Sequence, residues 1–202
     1  MQDRVTFVCA MNVCRSPLLA ATFDETLPPR TRASWSVESF GTQAVDGAEM
    51  CAVATALVEP RDHKHTASPV KPGSIHNSDL ILTATTLERG ILAQMAPAAR
   101  AWTFTVREAI LLGRLEEQPP WMPEPGPCDG VARRYAALLN ARRGLIVLTP
   151  PRTRRTRRVP VDPFDIPDVH LLKPRAHVSG LRAAQQDARE LAGQILALPN
   201  RV

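Results

Sequence analysis

The stretch that decides the fold is Val5-Thr6-Phe7-Val8-Cys9-Ala10-Met11-Asn12-Val13-Cys14-Arg15-Ser16-Pro17. An apolar run ends in a cysteine, and after five intervening residues come an arginine, a serine and a proline. Val5 to Val8 suit a strand buried on both faces. Ser16 is a capping residue type, and Pro17 suits the first position of a helix, where no N–H is needed. The sequence therefore reads strand, tight loop, helix. Such a loop turns backbone N–H groups inward beside the positive end of the helix dipole, which makes a cradle for a tetrahedral dianion. Cys9 falls at its floor and Arg15 at its rim.

The chemistry follows from these residue types. A thiolate, not a thiol, is the nucleophile, and helix N-termini and neighbouring arginines favour thiolates. The planar fork of an arginine binds two phosphate oxygens at once. Ser16 can hydrogen-bond the Cys9 sulfur. These parts suit attack on phosphorus through a cysteinyl-phosphate, with fixed N–H groups and Arg15 holding the developing charge.

Cys9, Asn12, Cys14, Arg15, Ser16 and Pro17, directly after a first strand, resemble the loop of the low-molecular-weight protein tyrosine phosphatase family. Met11 stands where that family usually has glycine, and would be strained if its φ were positive. Ser39-Phe40-Gly41-Thr42 is similar to the family's turn after the second strand, with Phe40 in place of a small residue. The resemblance implies a phosphomonoester hydrolase, in the first place a protein tyrosine phosphatase, acting on a phosphorylated protein or a small aryl phosphate. Asn12, Val13, Cys14, Arg15 and Ser16 would bind the phosphate, and Cys9 and Arg15 would be catalytic. The family's general acid lies in an Asp-Pro-aromatic segment ahead of the last helix. Two candidates stand in Val161-Asp162-Pro163-Phe164-Asp165-Ile166-Pro167-Asp168-Val169-His170. Asp162 has the literal Asp-Pro-Phe; Asp168 has the preceding Ile-Pro and the better distance to the final helix, and it is the preferred choice, with Asp162 as the alternative. Asp165 reads as a solvated carboxylate.

Two other functions stay open: a non-catalytic phosphate-binding regulatory module on the same scaffold, and a thiol-dependent arsenate reductase. The latter uses a cysteine pair after the third strand, and none lies between Thr83 and Arg100. Cys14 could also pair with Cys9 to protect it from over-oxidation.

The remaining chain alternates strand and helix. Helices are expected at Leu18 to Leu27, Ala48 to Val58, Thr85 to Ala96, Arg107 to Leu115, Asp129 to Arg143 and Ser179 to Leu198, and strands at Trp35 to Phe40, Ser78 to Ala84 and Ala101 to Val106. Alternation with right-handed crossovers gives an α/β three-layer sandwich, a central four-stranded parallel sheet with helices on both faces and the phosphate loop after the first strand. Ligands bind at the carboxyl ends of such strands, where Cys9 falls.

With 202 residues the chain is expected to be one domain, carrying a Pro-rich loop at about 116–127 and a basic loop at about 150–160. Leu145 to Thr149 reads as a strand or a plain packed segment. Arg152, Arg154, Arg155, Arg157 and Arg158 account for the whole net charge of +5. They read as an exposed loop; with no aromatic residue interleaved, nucleic acid binding is not expected. His63 and His65 read as part of a solvated loop. No apolar run reaches the length of a membrane span and no signal peptide is evident, so no membrane insertion is expected and the cytoplasm is the expected location. Four cysteines in a chain this long are not a disulfide framework, and their spacing matches no metal motif. Neither metal nor cofactor is expected, because cysteine, arginine and aspartate complete the mechanism. Oligomeric state is left open.

Overall fold

A computed structural model describes residues 2–58, 65–116, 130–146 and 162–198. Four strands form one sheet: β1 (Asp3–Cys9), β2 (Trp35–Gly41), β3 (Leu80–Thr83) and β4 (Thr103–Thr105). They lie in the order β2-β1-β3-β4, and every pairing is parallel. The helices are α1 (Arg15–Thr26), α2 (Ala52–Thr55), α3 (Pro72–His76), α4 (Thr86–Met95), α5 (Val106–Gly113), α6 (Val131–Ala141) and α7 (Pro174–Leu196). This is the expected α/β architecture.

Alternation along the strands feeds two layers. Val5, Phe7, Leu80, Leu82 and Phe104 point to one face, against Leu19 and Phe23 of α1, Ile110 of α5, Leu139 of α6 and Leu191 and Ile195 of α7. Val8 and Ile81 point to the other, against Ile75 of α3 and Leu92 of α4. Each fully buried Leu, Ile or Phe contributes about 1.5–3 kcal/mol of transfer free energy, so β1, central and covered on both sides, anchors the fold. On α7 the apolar stripe of Leu181, Ala184, Ala188, Leu191 and Ile195 is buried as its spacing predicts.

Boundaries differ from the sequence reading in instructive places. Helix α1 begins at Arg15, a turn earlier than the apolar pattern, with Cys14 at its N-cap and no side-chain cap. Ser16 is thus inside the helix, not its cap, because its hydroxyl is engaged by the loop. The helix expected over Ala48 to Val58 shrinks to the single turn of α2. The chain ahead of it instead makes an isolated bridge between Glu49 and Thr66. The Pro-rich segment Gln118 to Pro127, the end of Leu145 to Thr149, the arginine run and His63 lie outside the described residues.

The register places the site. Cys9 pairs with Gly41 of β2, whereas the pairing of β1 with β3 ends one residue earlier, at Val8 and Thr83. Cys9 therefore emerges at the carboxyl edge of the sheet, on the strand whose two neighbours come from crossovers on opposite sides. That is the position at which parallel sheets bind ligands. Among the described residues, no helix is long and apolar enough to cross a membrane.

Candidate active site

The loop between β1 and α1 is closed by one residue in the left-handed region. It is Asn12, with φ 55°, and not Met11. Asparagine tolerates this conformation better than most residues, so the strain anticipated at Met11 does not arise. Asn12 is fully buried and tied from four sides. Its Nδ2 donates to Ser16 Oγ at 2.9 Å and Ser39 Oγ at 3.0 Å, and its Oδ1 accepts from Ser68 N at 2.9 Å. Its carbonyl oxygen lies 2.8 Å from His65 Nε2. His65, read as solvated, is half-buried against the loop. Gly41 completes the support: a Cβ there would sit 2.6 Å from the Ala10 carbonyl oxygen, so only glycine lets the β2 turn approach so closely.

Cys9 Sγ lies inside this loop, with 2 % of the residue exposed. The N–H of Asn12 donates to it at 3.3 Å, and Ser16 Oγ lies 3.1 Å away. The Phe40 carbonyl oxygen also lies within reach of Ser16 Oγ, at 3.2 Å. Ser16 has one proton and two acceptors. A protonated Cys9 can donate to Ser16 while Ser16 donates to Phe40; an ionised Cys9 draws the Ser16 proton to itself. The Leu18 N–H donates to the Cys14 carbonyl, so the N–H groups of Cys14, Arg15 and Ser16 belong to the first turn, where helices leave donors free. Pro17, in the same turn, has no N–H to leave unpaired.

Arg15 is buried, and its guanidinium reaches the acidic segment. Nη1 donates to the Ile166 carbonyl at 3.3 Å, and Nη2 to Asp168 Oδ2 at 2.9 Å. Glu88 Oε1, also buried, stands 4.0 Å from Nη2. Among the three aspartates of the segment, Asp168 lies at the cradle. Asp162 turns back on its own backbone, accepting from Phe164 N at 2.9 Å. Asp165, expected to be solvated, accepts from Thr86 N at 2.7 Å and so caps α4. The segment is seated by Ile166 N, which donates to the Ala84 carbonyl at the end of β3. Val169 packs beside Leu18 and Leu181. Gly180 admits it: a Cβ there would lie 2.6 Å from a Val169 methyl.

Cys14 points elsewhere. Its sulfur lies 3.0 Å from Cys51 Sγ and 3.2 Å from His177 Nε2. Burial, and then the Cys51 thiol, push its own thiol well above the ordinary thiol range. A Cys9–Cys14 pairing is therefore not the arrangement seen. Sequence reading also missed Ser39, Ser68, Glu88, Cys51 and His177, for which no spacing to Cys9 or Arg15 gives a signal. They come from five separate segments and meet the site only in the folded chain.

A profile of the family described as low molecular weight phosphotyrosine protein phosphatase matches residues 4–111. The chain is 28 % identical over 112 residues to the protein-arginine-phosphatase of Geobacillus stearothermophilus, a stretch that covers 54 % of this chain and 73 % of that protein. The structure is similar to that of the arginine phosphatase YwlE of Geobacillus stearothermophilus, with TM-score 0.61 and 20 % identity, covering 96 % of this chain and 93 % of that one. It is also similar to that of the tyrosine phosphatase Wzb of Escherichia coli K30, with TM-score 0.58 and 16 % identity, covering 96 % and 98 %.

Proposed function

Because the chain belongs to the low molecular weight phosphotyrosine protein phosphatase family, a family of hydrolases, we propose that Cys9, Arg15 and Asp168 hydrolyse a phosphorylated protein at this site. The observation that carries the reading is the meeting of three groups from distant parts of the chain. Cys9 Sγ sits on the loop floor, Arg15 at its edge, and the Asp168 carboxylate 2.9 Å from that guanidinium.

The steps follow from the geometry. A phosphate dianion in the loop is held by the first-turn N–H groups of Cys14, Arg15 and Ser16 and by the Arg15 fork. Cys9 attacks phosphorus as thiolate; the S–P bond forms as the bond to the leaving atom breaks. Asp168 gives that atom its proton. Water then attacks the cysteinyl-phosphate, losing a proton to the Asp168 carboxylate, and the Cys9 thiolate leaves. Asn12 takes no part in bond-making; it fixes the loop. Val13 contributes backbone only. Asp162 serves as a turn residue and takes no catalytic part.

Phosphotyrosine is the substrate class named by the family, and it is the first reading here. Phosphoarginine is the second, favoured by the similarity to the protein-arginine-phosphatase of Geobacillus stearothermophilus. The test is turnover of para-nitrophenyl phosphate by wild type and Cys9→Ser, followed by phosphotyrosine and phosphoarginine peptides. Hydrolysis abolished by Cys9→Ser supports the phosphatase, and the better peptide names its class. A wild type that binds vanadate but turns over none of the three would instead make this a phosphate-binding module.

A further inference from the structure

Beside the cradle, and outside the chemistry just described, four side chains converge from four segments. Cys14 stands at the N-cap of α1, Cys51 at the N-cap of α2, His170 just past the acidic loop, and His177 in the first turn of α7. One ligand atom from each, two sulfurs and two imidazole nitrogens, lie within 4.8 Å of one another. We propose that these residues form a tetrahedral Cys2His2 site for a zinc ion, which joins the phosphate loop to the acidic loop.

The distances carry the argument. Cys14 Sγ is 3.0 Å from Cys51 Sγ and 3.2 Å from His177 Nε2, and Cys51 Sγ is 4.0 Å from the same nitrogen. Zinc with Zn–S bonds near 2.3 Å and Zn–N bonds near 2.0–2.1 Å holds its ligand atoms about 3.3–3.8 Å apart. The spacings among Cys14, Cys51 and His177 straddle that range, so these three need to shift by less than about 1 Å to meet one ion, and the His170 ligand atom lies within 4.8 Å of all of them. The rings of His170 and His177 lie edge to face, with centroids 5.4 Å apart, as two imidazoles aimed at a common point can. The Ala54 N–H donates to Cys51 Sγ at 3.4 Å, a contact that suits a thiolate ligand. Two thiolates and two imidazoles select zinc over magnesium or calcium.

A disulfide between Cys14 and Cys51 is the competing account. It uses two of the four groups and leaves the two histidines at the sulfurs unexplained. It also requires an oxidant, whereas metal binding only displaces the two thiol protons. Cysteine spacing argued against a metal because Cys51 is remote from Cys14 along the chain; the fold cancels that remoteness and brings His170 and His177 to the same place. The site has a positioning role. Cys14 precedes Arg15, and His170 follows Asp168 by two residues with its N–H on Asp168 Oδ1 at 3.0 Å. An ion held by Cys14 and His170 therefore sets the distance between guanidinium and acid.

The proposal stands apart from the phosphatase reading and is tested without substrate. The full chain, fully reduced and stripped with chelator, is titrated with cobalt(II) and then zinc(II). The expected result is one equivalent of cobalt with the intense visible bands and sulfur-to-cobalt charge transfer of a four-coordinate thiolate site, displaced by zinc. Cys51→Ser and His177→Gln should lose this spectrum, and Cys9→Ser should keep it. His170 is exposed, so His170→Gln leaves the core untouched; its spectrum should change from four protein ligands to three with water. No charge-transfer band in the reduced wild type would overturn the proposal. So would a band that survives Cys51→Ser and His177→Gln, or one that disappears in Cys9→Ser, which would put the metal on the catalytic thiol.

Discussion

Replacing Asp168 by asparagine should separate chemistry from stability. The Arg15–Asp168 pair joins a guanidinium with 6 % of its side chain exposed to a carboxylate that is 57 % exposed. A pair with one partner this open to water contributes about 0–1 kcal/mol. Arg15 keeps its bond to the Ile166 carbonyl and its neighbour Glu88, so it is not stranded. For a domain of this size that loss lowers Tm by no more than about 4 °C. The catalytic effect should be far larger. General acid catalysis is worth about 10²–10⁴-fold, or about 3–5 kcal/mol of activation free energy. The loss should also depend on the leaving group. Para-nitrophenolate departs readily without a proton, whereas the phenolate of phenyl phosphate needs one. The assay is kcat for both esters in wild type, Asp168→Asn and Asp162→Asn, with melting curves for each. Asp168→Asn should lose more on phenyl phosphate than on the nitrophenyl ester, and Asp162→Asn should lose little on either. An equal loss on both esters would refute the acid role and leave Asp168 as an Arg15 anchor. A larger loss in Asp162→Asn would transfer the role to that residue.

Three further outcomes are expected. Ser16→Ala removes the hydroxyl that can donate to ionised Cys9 at 3.1 Å; a hydrogen bond to a charged group is worth about 1.5–3 kcal/mol, so kcat for the nitrophenyl ester should fall about 10- to 100-fold. Gly41→Ala puts a methyl against the Ala10 carbonyl and within 2.9 Å of Asn12 N; overpacking of about 1–3 kcal/mol should appear as a lowered Tm with lost activity, and an unchanged Tm would contradict the close approach. Asp3 Oδ1 accepts from Ala132 N at 2.8 Å at the start of α6, and burial, only partly offset by that N–H, raises its carboxyl above the ordinary 3.8. A raised acid favours the folded state fully below 3.8, and that contribution is lost as pH rises through the raised value. Asp3→Asn keeps the acceptor without the charge, so in urea unfolding it should gain relative to wild type between about pH 4 and pH 7; an equal difference at both pH values would refute the assignment.

The chain by itself determined the parts of this protein that depend on neighbouring residues. The run Val5 to Val8 suited a covered strand, and it is one. The Cys9-to-Pro17 stretch fixed the loop and the helix after it, and the stripe from Leu181 to Ile195 fixed the buried face of α7. Alternation of these elements then fixed a parallel sheet and the edge where Cys9 emerges. Local signals were less exact where a residue had a stronger distant partner. Ser16 gives its hydroxyl to the loop rather than to a cap, and Thr86 N takes its cap from Asp165. Between Ala48 and Val58, a bridge from Glu49 to Thr66 and the single turn of α2 stand in place of a longer helix. Only the tertiary structure decided which aspartate faces Arg15, because Asp162 and Asp168 stand in similar sequence and differ in what they reach. It alone brought Cys51, His170 and His177 to Cys14, and Ser39 and Ser68 to Asn12. The physical reason is the same in each case. Periodicity and capping act within a few residues, whereas a hydrogen bond or a ligand atom answers to distance in space, which packing sets.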